Sequence, residues 1–219
     1  MPVGPAEREA VGRMGETGRN TEHWQRIYSD RGPDGVSWFQ ADPALSVDLV
    51  VQAAAGDRDA PVIDVGGGAS LLGSRMAADG HADVTVLDLS ARALEASRRQ
   101  DVTGTVIHLE HDLLTWRPQR RYRVWHDRAV FHFLTETADR DAYRRVLRSA
   151  LVPGGHLILA TFAQDGPTHC SGLPVARYSP ETLAAELGDG FVLTASRDEQ
   201  HLTPTGAAQH FTWITATLT

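Results

Sequence analysis

The 219-residue sequence predicts an α/β fold, in which helices cover a mostly parallel sheet that ends in an antiparallel hairpin. Two observations indicate this fold. Between residues 61 and 161, short continuous apolar runs alternate with amphipathic helical segments, which is typical of parallel strands buried on both faces. Near the C-terminus, residues 203–206 join two strand-like runs, and such a short link cannot cross over to a parallel neighbour. The last two strands are therefore expected to pair antiparallel.

Residues 1–20 mix charged residues with glycines and are expected to form a disordered arm. Thr21 is a suitable N-cap for a short helix over 21–29, and Pro43 opens a second helix that ends near Gly56. Strands are then expected at 61–65, 83–87, 105–109, 123–126, 156–161, 191–196 and 209–218, and helices at 71–78, 91–99, 139–151 and 180–187.

The composition excludes several classes of protein. Acidic residues number 28 against 21 basic ones, and the net charge of -7 would repel a phosphate backbone, so no nucleic-acid partner is expected. No apolar run approaches the roughly 18 residues of a membrane helix, and the first 20 residues lack the apolar centre of a secretion signal. A single cysteine and the histidine spacing give no metal site. We therefore expect a cytoplasmic protein without a membrane partner or a metal.

The most informative motif lies between the first predicted strand and its helix, where the sequence reads Asp-Val-Gly-Gly-Gly-Ala-Ser over residues 64–70. Glycines let the chain turn tightly and let a ligand lie against bare main chain at the carboxyl end of a strand. A dinucleotide fingerprint would need glycine at position 71, where this chain has Leu71. A phosphate-binding loop of the Walker type needs a lysine, which the chain lacks. Neither nucleotide motif is therefore complete.

Two acids follow at the ends of the next strands. Asp88 closes the second predicted strand, 20 residues after Gly68, where a carboxylate can accept both ribose hydroxyls of an adenosine. Asp112 follows the third strand at the same edge and is placed to accept from an exocyclic amine. The pattern indicates an adenosine compound without a 2′-phosphate.

With these motifs the sequence resembles the class I S-adenosylmethionine-dependent methyltransferases. Within that class, the segment His-Asp-Arg-Ala-Val-Phe over 126–131 is similar to the Asp-Arg segment of small bacterial thiopurine-methyltransferase-like enzymes. The glycine loop with Ser70 also resembles small enzymes related to eukaryotic lysine methyltransferases of the endothelin-converting-enzyme-like type, although their Asp-Lys-Gly is replaced at 127–129 by Asp-Arg-Ala. The residues that carry the class resemblance are Asp64, Gly66, Gly68, Asp88, Asp112, Asp127 and the run 151–157.

The resemblance implies one Rossmann-like methyltransferase domain over residues 21–219, with a seven-stranded, mostly parallel sheet and S-adenosylmethionine as cofactor. In this family the first acid and the glycine loop take the methionine ammonium, the second acid the ribose and the third the adenine. N-terminal aromatic residues close over the methionine end. The implied cofactor-binding residues are Trp24, Tyr28, Trp38, Asp64, Gly66, Gly68, Ser70, Asp88, Leu89, Asp112, Leu113 and Asp127.

The acceptor is expected to be a small molecule with a sulfur, nitrogen or oxygen nucleophile. His126 and His132 are candidate catalytic bases. Arg128 is the third candidate catalytic residue, and by resemblance it faces an anionic group of the substrate. A thiol acceptor needs no base. The long connection over 163–179 is expected to form a substrate-facing wall. The candidate substrate contacts are Phe131, Cys170 and Arg177.

Three alternatives remain open at this point. The chain could be a protein-lysine methyltransferase, a non-catalytic sensor of an adenosyl ligand, or an NAD-dependent reductase that lacks the third glycine. The C-terminal hairpin could cover the sheet or pair with a second chain, so the sequence is compatible with a monomer or a homodimer.

Overall fold

The computed structural model describes residues 21–219, and the predicted N-terminal arm lies outside the described residues. Residues 21–31 are helical and form the described part of α1. Helix α2 (Ala44–Ala53) begins directly after Pro43, whose missing N–H costs nothing at a helix start. The remaining helices are α3 (Leu72–Ala78), α4 (Ala91–Gln100), α5 (Thr137–Ala150) and α6 (Pro180–Leu187), with a short 3-10 helix at Phe131–Phe133.

The described chain forms a seven-stranded sheet with the strand order β3-β2-β1-β4-β5-β9-β8. Strands β1 to β5 run parallel, and β9 pairs antiparallel with both β5 and β8. The predicted mostly parallel sheet with a C-terminal antiparallel hairpin is confirmed. The strands are β1 (Val62–Val65), β2 (Val84–Asp88), β3 (Ile107–Glu110), β4 (Tyr122–Arg128), β5 (Leu151–Phe162), β8 (Phe191–Leu202) and β9 (Ala208–Leu218).

The order of the strands reverses at β1, which has β2 on one side and β4 on the other. The connections after β1 and β4 therefore leave the sheet in opposite directions, and a crevice opens at the carboxyl ends of these strands. This is the topological feature that positions the site described below.

Alternation along the central strands places one set of side chains on each face of the sheet. In β4, Trp125 packs against Tyr143 and Leu147 of α5, whereas Val124 packs with the side chains of α2 and α3 on the opposite face. The core is thus split into two layers by the sheet, as the continuous apolar strands predict.

Two strands extend beyond the predicted boundaries. Strand β5 begins at Leu151, immediately after α5, and pairs with Tyr122 across an irregularity in the register. Strand β8 continues to Leu202 although residues 197–200 are polar. It is an edge strand whose polar residues Arg197, Asp198 and Gln200 are exposed, whereas Glu199 turns inward, and its main chain pairs with β9 from Phe191 to Leu202. An apolar pattern is therefore absent from a genuine strand.

The connection over 163–179 contains a small hairpin of its own, β6 (His169–Cys170) paired with β7 (Leu173–Pro174). Ser171 and Gly172 make the turn, both with positive φ. Across residues 21–219, none of the helices has the length and apolar character to cross a bilayer.

Candidate functional site

A cavity of about 300 Å³ lies at the carboxyl ends of the parallel strands. Its floor is formed by the glycine loop after β1 and by the end of β2. The segment after β3 forms one wall, and the residues after β4 form the other. Helix α1 and the β6-β7 hairpin cover it. The lining residues are Trp24, Tyr28, Trp38, Gly66, Leu87, Asp88, Leu89, His111, Asp112, Leu113, Leu114, Arg128, Ala129, Val130, Phe133, Leu134, Thr135, Asp139, Leu173 and Pro174.

The glycine loop is packed too closely to carry side chains. Gly66 has φ +63°, and a Cβ placed on it would lie 2.0 Å from Cγ2 of Val130. A Cβ on Gly67 would lie 2.4 Å from Oδ2 of Asp64. Gly68 has φ +45°, and its Cβ would lie 2.7 Å from Oδ2 of Asp88. The loop therefore presents bare main chain between two carboxylates.

Asp88 stands at the carboxyl end of β2 and is 8% exposed. Its Oδ1 accepts a hydrogen bond of 2.7 Å from the main-chain N–H of Ser90, the residue that caps α4. Burial raises the pKa of Asp88 to about 7, the Asp64 carboxylate adds to the rise, and the Ser90 N–H opposes it. Close to neutral pH, both the protonated and the carboxylate form of Asp88 are therefore populated.

Asp112 lies two residues beyond the end of β3 and lines the same cavity with Leu113. Its Oδ1 accepts from the main-chain N–H of Leu114 at 2.9 Å, which fixes the direction of the carboxylate. The acids that the sequence places at three strand ends thus fall along one edge of the sheet, as parallel strands require.

An aromatic cluster on α1 and the following loop closes the cavity from above. The ring of Trp24 meets Trp38 edge-on at 5.7 Å and Phe133 at 5.1 Å, and Tyr28 meets Trp38 at 6.1 Å. Gln25 ties α1 to the start of α4, because its Oε1 accepts from the Ser90 hydroxyl at 3.4 Å and from a main-chain N–H at 3.3 Å. The described helix therefore covers the cavity.

A second cavity of about 40 Å³ lies beside the glycine loop and includes Ser70 in its lining. Two of its walls are Asp64 and His126, which are buried side by side on β1 and β4. His126 Nδ1 lies 2.7 Å from Asp64 Oδ1, and His126 Nε2 lies 3.0 Å from the Ser46 hydroxyl. Among residues 21–219, Oδ2 of Asp64 is buried without a hydrogen-bond partner.

Arg128 lines both cavities, and its side chain is 8% exposed. Nη1 donates to the main-chain oxygen of Trp38 at 2.9 Å, Nε lies 3.6 Å from a carboxylate oxygen of Glu199, and the guanidinium stacks over Phe211 at 4.5 Å. In the part of the chain that the structure describes, Nη2 has no hydrogen-bond partner. A buried guanidinium with a free edge is suited to an anionic group.

Asp127 and His132 lie in the protein interior rather than on either cavity. Asp127 Oδ1 accepts from the main-chain N–H of Val130 at 3.0 Å, and Oδ2 accepts from the Tyr143 hydroxyl at 2.8 Å. His132 is fully buried, and burial together with Arg128 lowers its pKa to about 3. Asp127 therefore stabilises the fold through these two hydrogen bonds, and His132 is a very weak base.

The three predicted substrate contacts also lie away from the lining of both cavities. Phe131 is a core residue packed on Tyr143 and Tyr178. Cys170 is buried in β6, and Arg177 donates to the main-chain oxygen of Gly166. The connection that holds the last two does face the larger cavity, but through its apolar residues Leu173 and Pro174.

Several lining residues were not singled out from the sequence, notably Phe133, Asp139, Leu173 and Pro174. A signal existed for Phe133, since it lies in the segment that follows the fourth strand. Leu173 and Pro174 carry no polar group that marks them as site residues. Ser46 had no local signal, because its contact with His126 joins residues 80 positions apart.

Cys170 is expected to resist alkylation in the folded protein. Burial raises the pKa of its thiol to about 11, so almost no thiolate is present near neutral pH. Iodoacetamide should leave the native protein unmodified and react fully once a denaturant is added, as intact mass spectrometry would show. Rapid modification of the native protein would contradict the buried position.

Comparison with known proteins places this geometry in context. Residues 62–155 match the family model described as a methyltransferase domain. A search of curated proteins returns no match to the sequence. At the low identities of the structural matches given next, the likeness establishes the fold.

A structure solved in work on the conversion of a disulfide bond into a thioacetal group during echinomycin biosynthesis is 19% identical, covers 90% of this chain and 91% of its own, and has a TM-score of 0.71. The Burkholderia thailandensis 1,6-didemethyltoxoflavin-N1-methyltransferase, with bound 1,6-didemethyltoxoflavin and S-adenosylhomocysteine, is 17% identical over 100% of this chain and 92% of its own, with a TM-score of 0.67. The glycopeptide N-methyltransferase MtfA, complexed with sinefungin, is 17% identical over 86% and 99%, with a TM-score of 0.62.

Proposed function

We propose that this chain, which carries a methyltransferase domain over residues 62–155, transfers a methyl group from S-adenosylmethionine to a small molecule. The observation that carries the proposal is that Trp24, Trp38, Leu173 and Pro174 lie over the cavity in which we place the cofactor, so that an acceptor must approach beneath this cover. A protein side chain would require an open approach to the methyl group, whereas a small molecule fits beneath a lid. The structure of the 1,6-didemethyltoxoflavin-N1-methyltransferase, which holds 1,6-didemethyltoxoflavin and S-adenosylhomocysteine on a similar fold, supports this choice.

The residues of the site fit the cofactor that this fold uses. We place the ribose on Asp88, the adenine against Asp112 and the Leu113 amide, and the methionine end over Gly66. The unpartnered Oδ2 of Asp64 suits the ammonium group, because a buried carboxylate oxygen without a donor is costly. Leu89 flanks the ribose position, and the aromatic cluster covers the sulfur.

The proposed chemistry depends on position and on the exclusion of water. When bound, the cofactor supplies a methyl group on a positively charged sulfur, and its transfer leaves a neutral thioether. The chain's part is to hold the acceptor in line with that methyl group and to keep water out. The faces of Trp24 and Trp38 are suited to a cation, which supports their place above the sulfur.

The environments of His132 and His126 favour an acceptor that loses its proton without a general base from the protein. His132 is buried with a pKa of about 3, and both ring nitrogens of His126 already face protein partners beside the smaller cavity. A thiol meets this condition, because its thiolate is the nucleophile. We therefore propose thiols as the first acceptors to examine, ahead of amines and alcohols.

Arg128 is proposed to bind an anionic group of the acceptor. Its buried, partly unpaired guanidinium borders the covered cavity, and replacement by methionine keeps the apolar stem of the side chain but removes the charged guanidinium group. We expect Arg128→Met to raise KM for anionic acceptors by about 10-fold or more, since a charged hydrogen bond contributes about 1.5–3 kcal/mol. The matched control is Arg177→Met, because Arg177 is exposed and lies outside both cavities.

The experiment that tests the proposal is a screen of thiols, amines, phenols and carboxylates, read as release of S-adenosylhomocysteine. Turnover with a small molecule is the expected result. Transfer of a radioactive methyl group into large products of a cell lysate, with no small-molecule turnover, would favour a protein-lysine methyltransferase. Cofactor binding without transfer to any acceptor would favour a sensor.

A further inference from the structure

The side chains of Asp64, His126 and Ser46 form a buried chain that links β1, β4 and α2. Their exposures are 3%, 2% and 2%. The imidazole bridges the other two groups, with Nδ1 at 2.7 Å from Asp64 Oδ1 and Nε2 at 3.0 Å from the Ser46 hydroxyl. The register places Asp64 directly opposite His126 on the neighbouring strand. The contact is therefore fixed by strand pairing and by the position of α2.

The order acid, imidazole, hydroxyl also occurs in serine hydrolases, but the space around Ser46 excludes that activity. The cavity beside these groups measures about 40 Å³. One water needs about 10–15 Å³ of such space, so the cavity has room for a few waters but is far below the ~300 Å³ of the smallest typical ligand sites, and an ester or amide substrate does not fit. The hydroxyl is thus available to orient the ring and has no access to a substrate.

The two oxygens of Asp64 have different environments. Oδ1 is held by His126, whereas Oδ2 is buried, has no hydrogen-bond partner within residues 21–219, and points toward the glycine loop. A Cβ on Gly67 would lie only 2.4 Å from this Oδ2. Rotation of the carboxylate would exchange the two oxygens or swing both away from the loop. The imidazole opposes that rotation because it holds Oδ1.

We infer that His126 is a positioning residue, which with Ser46 orients Asp64 so that Oδ2 faces the cationic ammonium of the cofactor's amino-acid portion. The inference rests on the proposed placement of the cofactor over the glycine loop. Two further ionisable groups lie near the Asp64–His126 pair. Arg128 on β4 lines the same small cavity, and Asp88 on β2 lies close enough to Asp64 for the two carboxyl groups to interact. The oriented Asp64 carboxylate would contribute to binding of the amino-acid portion of the cofactor and would not contribute to binding of its adenosine portion.

Two ligands distinguish binding of the amino-acid portion of the cofactor from binding of its nucleoside portion. S-adenosylhomocysteine carries the ammonium and carboxylate of the amino-acid portion, whereas 5′-methylthioadenosine has the same nucleoside and thioether without them. We expect His126→Leu to weaken S-adenosylhomocysteine binding by about 10-fold or more and to change 5′-methylthioadenosine binding by less than about 3-fold. Calorimetric titration of the full chain measures both affinities.

Two further variants distinguish positioning from simple packing. His126→Asn places an amide N–H near the position of Nδ1 and should recover most of the lost affinity for S-adenosylhomocysteine. His126→Gln extends its amide toward Ser46 instead and should recover less. Ser46→Ala removes only the support of the ring, and we expect a loss of about 3-fold, in the range of one neutral hydrogen bond.

The outcomes separate this inference from the proposed function. If the unaltered chain binds neither ligand, the cofactor placement fails. If the unaltered chain binds both, equal losses for the two ligands in His126→Leu would show a general structural role and would overturn the inference. Unchanged affinity for S-adenosylhomocysteine in a folded His126→Leu protein would overturn it as well. Should His126→Leu not fold, the comparison between His126→Asn and His126→Gln decides, and equal affinities there would count against it.

Discussion

Replacing Asp88 by asparagine is expected to weaken the binding of S-adenosylhomocysteine by about 100-fold, because a carboxylate that accepts two hydroxyls makes two charge-assisted hydrogen bonds. Asparagine keeps the shape but offers one acceptor oxygen. Affinity of the unaltered protein should also fall as the pH drops through about 7, the pKa to which burial raises this carboxyl. Calorimetric titrations at pH values above and below 7 measure both effects.

The same substitution is expected to stabilise the ligand-free protein in alkaline solution. The pKa of Asp88 is raised from 3.8 to about 7 on folding. The folded state then holds the proton more tightly, so the contribution to stability is complete below pH 3.8 and is lost as the pH rises through about 7. At about pH 8 the buried carboxylate costs on the order of a few kcal/mol, which a neutral asparagine avoids.

The control for both effects is Glu110→Gln. Glu110 is the register partner of Asp88 on β3, yet it is exposed and does not line the cavity. It should change neither the affinity nor the melting temperature. A fall in melting temperature for Asp88→Asn at about pH 8 would contradict the buried, destabilising carboxylate. Normal affinity in that variant would remove the ribose role.

Gly66→Ala is expected to have the second large effect. Gly66 has φ +63°, and the new Cβ would lie 2.0 Å from Val130 Cγ2, so both backbone strain and a steric clash arise. We expect the free energy of unfolding to fall by about 3 kcal/mol or more, since the strain alone is worth about 1–2 kcal/mol. Binding of S-adenosylhomocysteine should be lost with it, because the bare main chain is the surface on which we propose that the ligand lies.

The chain offers a matched control for the strain. Gly104 has φ +69°, and no described atom outside its own chain neighbours lies within 4 Å of a Cβ placed there. Gly104→Ala should therefore show the strain without the clash and leave the ligand affinity unchanged. Addition of Val130→Ala to Gly66→Ala should restore part of the stability. Equal denaturation midpoints for the two single variants would contradict the close approach.

The sequence predicts the fold well because alternation and glycine placement are local signals. The buried strands β1 and β2 are mostly apolar, and Asp64 and Asp88 lie in them two residues before a glycine and a helix cap, respectively. Strand β8 shows where this reasoning stops. Its continuation over residues 197–202 is mostly polar and exposed, so the hydrogen bonds to β9 that make this part a strand leave no apolar pattern.

The sequence predicts a residue of the candidate site only where a polar or aromatic residue lies at the end of a strand or in the segment that covers the strand ends. Asp112 and the aromatic residues of α1 line the cavity because topology brings strand ends and their cover together. The orientation of a side chain is set by packing, which a single sequence does not display. His132 and Cys170 follow site segments closely, yet their side chains turn into the core. The contact between Ser46 and His126 depends on the docking of α2 and has no local signal.

The most direct measurement is a crystal structure of the protein with S-adenosylhomocysteine. The account predicts density in the cavity of about 300 Å³, with the ribose hydroxyls on Asp88 and the adenine beside Asp112. The amino group is expected to extend past Gly66 into the smaller cavity, within hydrogen-bond distance of Asp64 Oδ2. Ligand bound elsewhere, or a cavity occupied by the aromatic side chains of α1 at saturating ligand, would contradict it.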